Sequence, residues 1–443
     1  MHEFNTLTFH VNPCNSLHGK LQVPGDKSIS HRAIILGSIA EGVTEISGFL
    51  EGDDCLATLS AFEQMGVNIT RLGAGQVRIE GVGLRGLKSP NSPLNLGNSG
   101  TSMRLMAGLL AGQNFSTTLI GDASLSKRPM RRVTEPLKLM GAVIQATEQG
   151  TAPLHISPVQ SLIGINYRLP IASAQIKSCL LLAGLYAIGT TWIQEPAISR
   201  DHTERMLERF GYEVKREANR VGITGGGHLI GQNLIIPGDI SSAAFFLVGA
   251  SIASDADITL TQVGINPTRT GVIEILNRMG ANIEIIKPRE VGGEMVADIR
   301  VRSATLHGIN IPEELVPLAI DEFPAIFIAA ACAKGETVLR KAAELRVKES
   351  DRIQVMADGL NQLGISAQPL SDGICIQGGK LTGGNIDSKG DHRIAMAFAM
   401  AGLCASNEIV IKDCVNVNTS FPDFVTLAAS VGLKIQKTTS DTN

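Results

Sequence analysis

One short pattern recurs six times in this chain: an apolar residue, a glycine and another apolar residue, each time closing an amphipathic run. It reads Met65-Gly66-Val67, Met140-Gly141-Ala142, Phe210-Gly211-Tyr212, Met279-Gly280-Ala281, Leu363-Gly364-Ile365 and Val431-Gly432-Leu433. The intervals are about 70 to 85 residues, far longer than a solenoid repeat. Glycine at that place predicts a left-handed helix cap leading into a strand. The runs ahead of it, such as Ala57, Leu59, Phe62 and Met65 or Thr203, Met206, Leu207 and Phe210, present one apolar face.

A second helix precedes each of these, after Ser28, Asn98, Ser173, Ser241, Asp321 and Asp391. Its sequence is apolar nearly all round, as in Ile176 to Ala187, Ala325 to Ala333 and Ile394 to Leu403, which predicts full burial. A β-branched run follows, for example Val43-Thr44-Glu45-Ile46 or Glu408-Ile409-Val410-Ile411. The expected unit is buried helix, strand, surface helix, strand, with room for further strands.

Six such units in 443 residues exceed a single core and predict an α/β protein of two domains with three units each. Val23-Pro24-Gly25-Asp26-Lys27-Ser28 is partly echoed by Ile236-Pro237-Gly238-Asp239-Ile240-Ser241, with Ile240 where Lys27 stands. These segments are the expected crossings. They give one discontinuous domain of 1–24 plus 240–443 and another of 25–239, with the strand from Leu7 to Val11 joining the C-terminal half.

Charge and cysteine usage exclude several functions. A formal net charge of −3 gives no bulk attraction to nucleic acid or anionic membrane, and a single tryptophan gives little to stack bases on. The seven cysteines are odd in number and scattered, without Cys-x-x-Cys, so neither a disulfide framework nor a zinc site is expected. No apolar stretch reaches the roughly 18 residues of a membrane span. The polar start Met1-His2-Glu3-Phe4-Asn5-Thr6 does not read as a signal peptide, so a cytoplasmic protein is expected.

Polar residues gather at the N-terminal ends of the apolar helices: Lys27-Ser28, Asn98-Ser99-Gly100-Thr101, Ser173 and Gln175, Asp321-Glu322, and Asp391-His392-Arg393. If those helices share a direction, their positive ends meet at one inter-domain cleft suited to phosphates and carboxylates. Each segment also has a plainer reading. Lys27 to Arg32 is equally a capped helix with two solvated cations, and Ser124 to Arg132 a basic turn. Arg346-Val347-Lys348-Glu349-Ser350-Asp351-Arg352 is equally a salt-bridged face. Asp321 and Glu349 are candidate proton carriers, since a carboxylate among cations suits proton transfer. His31, His202 and His392 lack metal-ligand spacing and are expected to be structural.

The ordered segments PGDKSISHR, GNSGTSMR, SLSKRPM, SAQIKSCLLL, SRDHTERM, DEFPA, RVKESDR and GDHRIAMA are together similar to the 5-enolpyruvylshikimate-3-phosphate synthases. The resemblance spans nearly the whole chain. The SAQ and KRPM variants resemble the second sequence class, which includes glyphosate-insensitive members.

It implies the enolpyruvyl transferase fold, an inside-out α/β barrel of two domains with three βαβαββ units each, closing on its substrates. It implies transfer of the enolpyruvyl group of phosphoenolpyruvate to the 5-hydroxyl of shikimate 3-phosphate, through a tetrahedral adduct, with loss of phosphate. This step belongs to aromatic amino-acid biosynthesis and uses no metal or other cofactor. The expected partners are small molecules and the inhibitor glyphosate, without nucleic acid or membrane, and the protein is expected to act as a monomer.

Carried over residue by residue, Asp321 takes the proton of the attacking hydroxyl, while Lys27 and Glu349 serve the enol carbon. Lys27, Ser28, Arg32, Ser173, Gln175, Arg200, Asp321 and Lys348 hold shikimate 3-phosphate. Lys27, Asn98, Gly100, Arg128, Gln175, Arg352 and Arg393 hold phosphoenolpyruvate. The chain departs from many relatives at Thr419, where they carry lysine, and at Glu344, where they carry asparagine. Insensitive members often have alanine at the position of Gly100. Two other readings are a sibling transferase acting on UDP-N-acetylglucosamine and a non-catalytic repeat protein that binds anions. The sibling typically has a reactive cysteine before its KRP-like arginine, and none lies between Ala111 and Arg128 here.

Overall fold

All six predicted glycine stops end a helix. Gly66, Gly141, Gly211, Gly280, Gly364 and Gly432 have φ between +83° and +117°, a region open to glycine and costly for other residues. The residue after each donates to the carbonyl five positions back, from Val67 to Phe62, Ala142 to Leu137, Tyr212 to Leu207, Ala281 to Leu276, Ile365 to Leu360 and Leu433 to Ala428. These bonds are 2.9–3.1 Å long and close a Schellman turn.

The computed structural model describes residues 6–440. It divides into two units, one of Gly25–Ile236 with Val291–Glu294, the other of Met1–Pro24, Pro237–Glu290 and Met295–Asn443. The first holds helices α1 (Lys27–Ile39), α2 (Asp53–Gln64), α3 (Gly100–Ala111), α4 (Arg131–Leu139), α5 (Ala174–Gly184) and α6 (His202–Arg209). The second holds α7 (Ile240–Ile252), α8 (Gly271–Arg278), α9 (Phe323–Cys332), α10 (Arg352–Gln362), α11 (His392–Ala401) and α12 (Phe424–Ser430). Odd-numbered helices are buried and even-numbered ones amphipathic. Ile29 to Ile39 of α1 and Phe323 to Ala331 of α9 are buried without exception.

Each unit repeats a βαβαββ motif whose sheet order is first, second, fourth, third strand, except that the copy around α9 has three strands, Glu336–Leu339, Gly373–Gln377 and Ser366–Leu370, with the bridge from Asn310 to Val338 in place of the first. In the first unit, strand Leu94–Asn95 runs parallel to Thr117–Ile120, which pairs antiparallel with Leu154–Ser157 and then Val143–Gln145. Asn166–Arg168, Thr190–Gln194, Arg220–Thr224 and Lys215–Glu217 form the next copy. The copy around α1 takes its opening strand, Asn233–Ile235, from far along the chain, with Asn233 opposite Glu45. In the second unit, Ser16–Leu21 opens one sheet beside Asp255–Gly264. Strand Thr6–Val11 fills the last sheet, with Phe9 opposite both Ile411 and Lys437, so the N-terminal strand does complete the C-terminal repeat.

Each unit has its own apolar core, built largely from Ala, Leu and Ile of the odd helices. Small residues let those helices touch: a Cβ at Gly108 of α3 would lie 2.0 Å from the Cys179 carbonyl oxygen of α5. Most of the candidate site residues lie at or just before the N-terminal turns of these helices.

Candidate active site

In the first unit, the starts of α1, α3 and α5 are joined by side chains. Asp26 caps α1 by accepting from the Ile29 amide at 2.8 Å, which leaves Lys27 in the first turn. The Lys27 ammonium pairs closely with Asp54 of α2, a buried carboxylate that no sequence motif marked. Ser99 caps α3, and Ser173 caps α5. Gln175 joins those two ends, donating to Thr101 at 3.0 Å and accepting from Arg104 at 2.7 Å. Arg128 donates to Asn98 Oδ1 at 2.6 Å, and Asn98 donates on to Asp122 at 2.7 Å. Arg200 reaches the Ser28 hydroxyl at 3.4 Å.

Arg32 sits deeper than a solvated cation would. The residue is 3% exposed, and its guanidinium donates to Thr203 at 2.6 Å, to Ser178 at 2.7 Å and to the Ser28 carbonyl at 2.8 Å. It therefore links α1 to α5 and α6 directly beneath Ser28. Beside it, His31 is fully buried, with Nδ1 2.8 Å from the Thr58 hydroxyl. Burial and then the charges of Lys27 and Arg32 hold His31 well below its ordinary pKa, with Asp26 opposing.

In the second unit, the charged run ahead of α10 is not a solvated face. Arg352 is 1% exposed and joins three carboxylates. Its guanidinium is 3.6 Å from Asp321 Oδ1, 2.7 Å from Glu349 Oε2 and 2.8 Å from Asp391 Oδ2. Burial opposes that charge, but Asp391, Glu349 and Asp321 outweigh it and raise the pKa further. Lys348 stands 3.6 Å from the same Asp321 oxygen. Arg393 donates to the Asp321 backbone carbonyl at 3.0 Å, and Ser350 donates to Asp391 at 3.1 Å. Asp391 also caps α11 through the Arg393 amide.

The structure thus brings Lys27, Ser28, Arg32, Asn98, Gly100, Arg128, Ser173, Gln175 and Arg200 to the helix starts of one unit. It brings Asp321, Lys348, Glu349, Arg352 and Arg393 to those of the other. Sequence reading gave no role to Asp54, Arg104 and Asp122, and named Asp391 only among the polar residues at the helix starts; all four orient the predicted residues. Only Asp391 gave a signal, as a helix-cap aspartate. Among the described residues, no group of three His, Cys, Asp or Glu side chains could hold a metal ion, and the seven cysteines are unbridged.

A family model described as EPSP synthase (3-phosphoshikimate 1-carboxyvinyltransferase) matches residues 11–427. The chain belongs to the EPSP synthase family. A 3-phosphoshikimate 1-carboxyvinyltransferase of Nitrosococcus oceani is 66% identical, over 98% of this chain and 97% of that protein. Another, from Methylococcus capsulatus, is 64% identical over 98% of this chain and 100% of that protein. A solved EPSP synthase of Acinetobacter baumannii superposes with a TM-score of 0.87 at 58% identity, over 98% of this chain and 100% of the other. The fold is that of the EPSP synthases.

Thr419 and Glu344 have clear settings. Thr419 ends the short helical turn Val415–Thr419, and its hydroxyl donates to the Asn416 carbonyl at 2.7 Å. Asn416 in turn donates to the Gly390 carbonyl at 2.8 Å, next to Asp391. Glu344 lies half-buried in the turn Ala343–Val347, which leads to Lys348 and Glu349.

Proposed function

We propose that this member of the EPSP synthase family transfers the enolpyruvyl group of phosphoenolpyruvate to the 5-hydroxyl of shikimate 3-phosphate and releases phosphate. The identity of 58–66% to 3-phosphoshikimate 1-carboxyvinyltransferases over nearly the full chain supports the reaction. The observation that carries the mechanism is Asp321, a carboxylate 3.6 Å from both Lys348 and Arg352, with its backbone held by Arg393.

In that reading Asp321 accepts the proton of the 5-hydroxyl as its oxygen bonds to C2 of phosphoenolpyruvate. A proton is added at C3, making a methyl group. The resulting tetrahedral adduct then loses phosphate and one methyl proton, which restores the double bond. Lys27 and Glu349 carry the protons at C3. Arg128, Arg352 and Arg393 hold the carboxylate and phosphate, which guanidinium groups grip with paired hydrogen bonds. Ser28, Ser173, Arg200 and Lys348 hold shikimate 3-phosphate, and Arg32 supports Ser28 from below. Glyphosate is proposed as a competitor of phosphoenolpyruvate, and the protein as a cytoplasmic monomer.

The decisive experiment is phosphate release by the purified protein given shikimate 3-phosphate and phosphoenolpyruvate, without added metal. Turnover that needs both substrates supports the reading. Silence with shikimate 3-phosphate, but turnover with UDP-N-acetylglucosamine as acceptor, would assign the sibling reaction instead.

A further inference from the structure

Lys177 lies on α5, two residues beyond Gln175, yet its side chain is only 2% exposed. Its ammonium is 2.8 Å from Glu195 Oε2 and 2.7 Å from Glu204 Oε1, and it donates to the Ser199 carbonyl at 3.4 Å. Glu195 uses its other oxygen to accept from the Ser199 hydroxyl. Burying a cation and two carboxylates together is costly unless they pair closely, as these do. Burial disfavours the charge on Lys177, but the two glutamates raise its pKa; burial also raises that of Glu204, against the pull of Lys177. Nothing in the proposed chemistry uses this cluster directly.

The segment it grips is the link between strand Thr190–Gln194 and α6. Residues 195–201 have no regular structure of their own. At Ile198 the link is 70% exposed, yet the next residue, Ser199, is buried again at 5%. There Lys177 donates to the Ser199 carbonyl and Glu195 accepts from its hydroxyl, and Arg200 follows at once, reaching toward Ser28. The neighbours of Lys177 and Glu204 continue the same seam. Ser178 and Thr203 lie 2.7 Å apart, and Arg32 donates to both.

We propose that Lys177 is a positioning residue: by clamping Glu195, Glu204 and the Ser199 carbonyl, it fixes the 195–201 link so that Arg200 presents its guanidinium at one place to the phosphate of shikimate 3-phosphate. This rests on the reading of Arg200 and Ser28 as ligands of that substrate. An arm without regular structure needs such support from behind if it is to hold an anion in one geometry. Lys177 itself touches no substrate.

The test is steady-state kinetics with thermal unfolding on Lys177→Met, Lys177→Arg, Glu195→Gln and Arg200→Ala. Lys177→Met is expected to raise the KM for shikimate 3-phosphate roughly 10- to 100-fold, with kcat and the phosphoenolpyruvate KM within about threefold. Lys177→Arg keeps the charge and is expected to restore most of the loss. A folded Lys177→Met protein with an unchanged shikimate 3-phosphate KM would overturn the proposal. So would a loss in which both KM values, kcat and the melting temperature all deteriorate together. Should Lys177→Met not fold, Glu195→Gln decides, because it removes the outer carboxylate charge at nearly constant shape. A rise of about three- to tenfold in the same KM supports the clamp, and no rise overturns it. Arg200→Ala separates the two levels: an unchanged shikimate 3-phosphate KM there overturns the ligand assignment on which the clamp rests.

Discussion

Arg352 donates from Nε to Asp391 Oδ2 at 2.8 Å, with the two side chains 1% and 0% exposed. The pair ties the start of α10 to the cap of α11, and so fixes Arg352 and Arg393 relative to each other. Replacing Asp391 by alanine leaves a buried guanidinium short of its innermost carboxylate. The expected loss of stability is about 3–5 kcal/mol, measured by urea unfolding. Asp391→Asn keeps the shape and an acceptor for the helix cap, so it should lose less. Its kcat/KM for phosphoenolpyruvate should still fall by about 100-fold, because the arginine is no longer held in one orientation. Wild-type values in both assays would contradict this account.

Asp321→Asn isolates the proton-accepting step. Asparagine preserves the volume at a position 3.6 Å from Lys348 and Arg352, but it is too weak a base for the 5-hydroxyl. The expected drop in kcat is about 10²–10⁴-fold. Calorimetry should find shikimate 3-phosphate still bound within about tenfold of wild type, since most of its contacts are elsewhere. Undiminished turnover would remove Asp321 from the mechanism.

What the sequence revealed and what it concealed follow one physical division. A helix stop with positive φ leaves a glycine, and full burial leaves an apolar run, so both could be read from single residues and their spacing. Long-range partners leave no such mark. Arg32 finds Ser178 and Thr203, which are 146 and 171 positions away, and nothing near Arg32 announces them. Asp54 looks like an ordinary first-turn acid of α2 until the fold sets it against Lys27. The alternating charges before α10 suggested a salt-bridged face, and Glu349 and Arg352, three apart, do pair. They could not tell a solvated face from a buried one, because the three carboxylates that surround Arg352 come from three places in the chain.

His31 predicts how stability varies with acidity. Its folded pKa lies well below the ordinary value, mainly through burial, then through Lys27 and Arg32. The unfolded chain therefore takes up the proton first. The stability contribution is complete above a pH of about 6.5 and is lost as the pH falls below it, by up to about 1.4 kcal/mol per unit. His31→Asn removes this titration while leaving a polar partner for Thr58. Between pH 7.5 and 5.5 the wild-type melting temperature should fall more steeply than that of the variant. Parallel curves would show that His31 is not the group responsible.

Gly100→Ala tests the fit at the start of α3. A Cβ there would sit 2.8 Å from Arg104 Nη1 and 3.2 Å from Arg128 Nη1, both at the ends of long side chains. The backbone can stay, but the two guanidinium groups must shift by a few tenths of an ångström. Arg128 is tied to Asn98 at 2.6 Å, so the shift carries into the contacts proposed for phosphoenolpyruvate. The KM for phosphoenolpyruvate should rise several-fold, about 1 kcal/mol of binding, with little change in kcat. Glyphosate, competing at the same place, should lose more, since the added methyl removes space as well as moving the arginine. Competition assays on both proteins decide the point: equal inhibition constants would mean that Gly100 does not border the inhibitor.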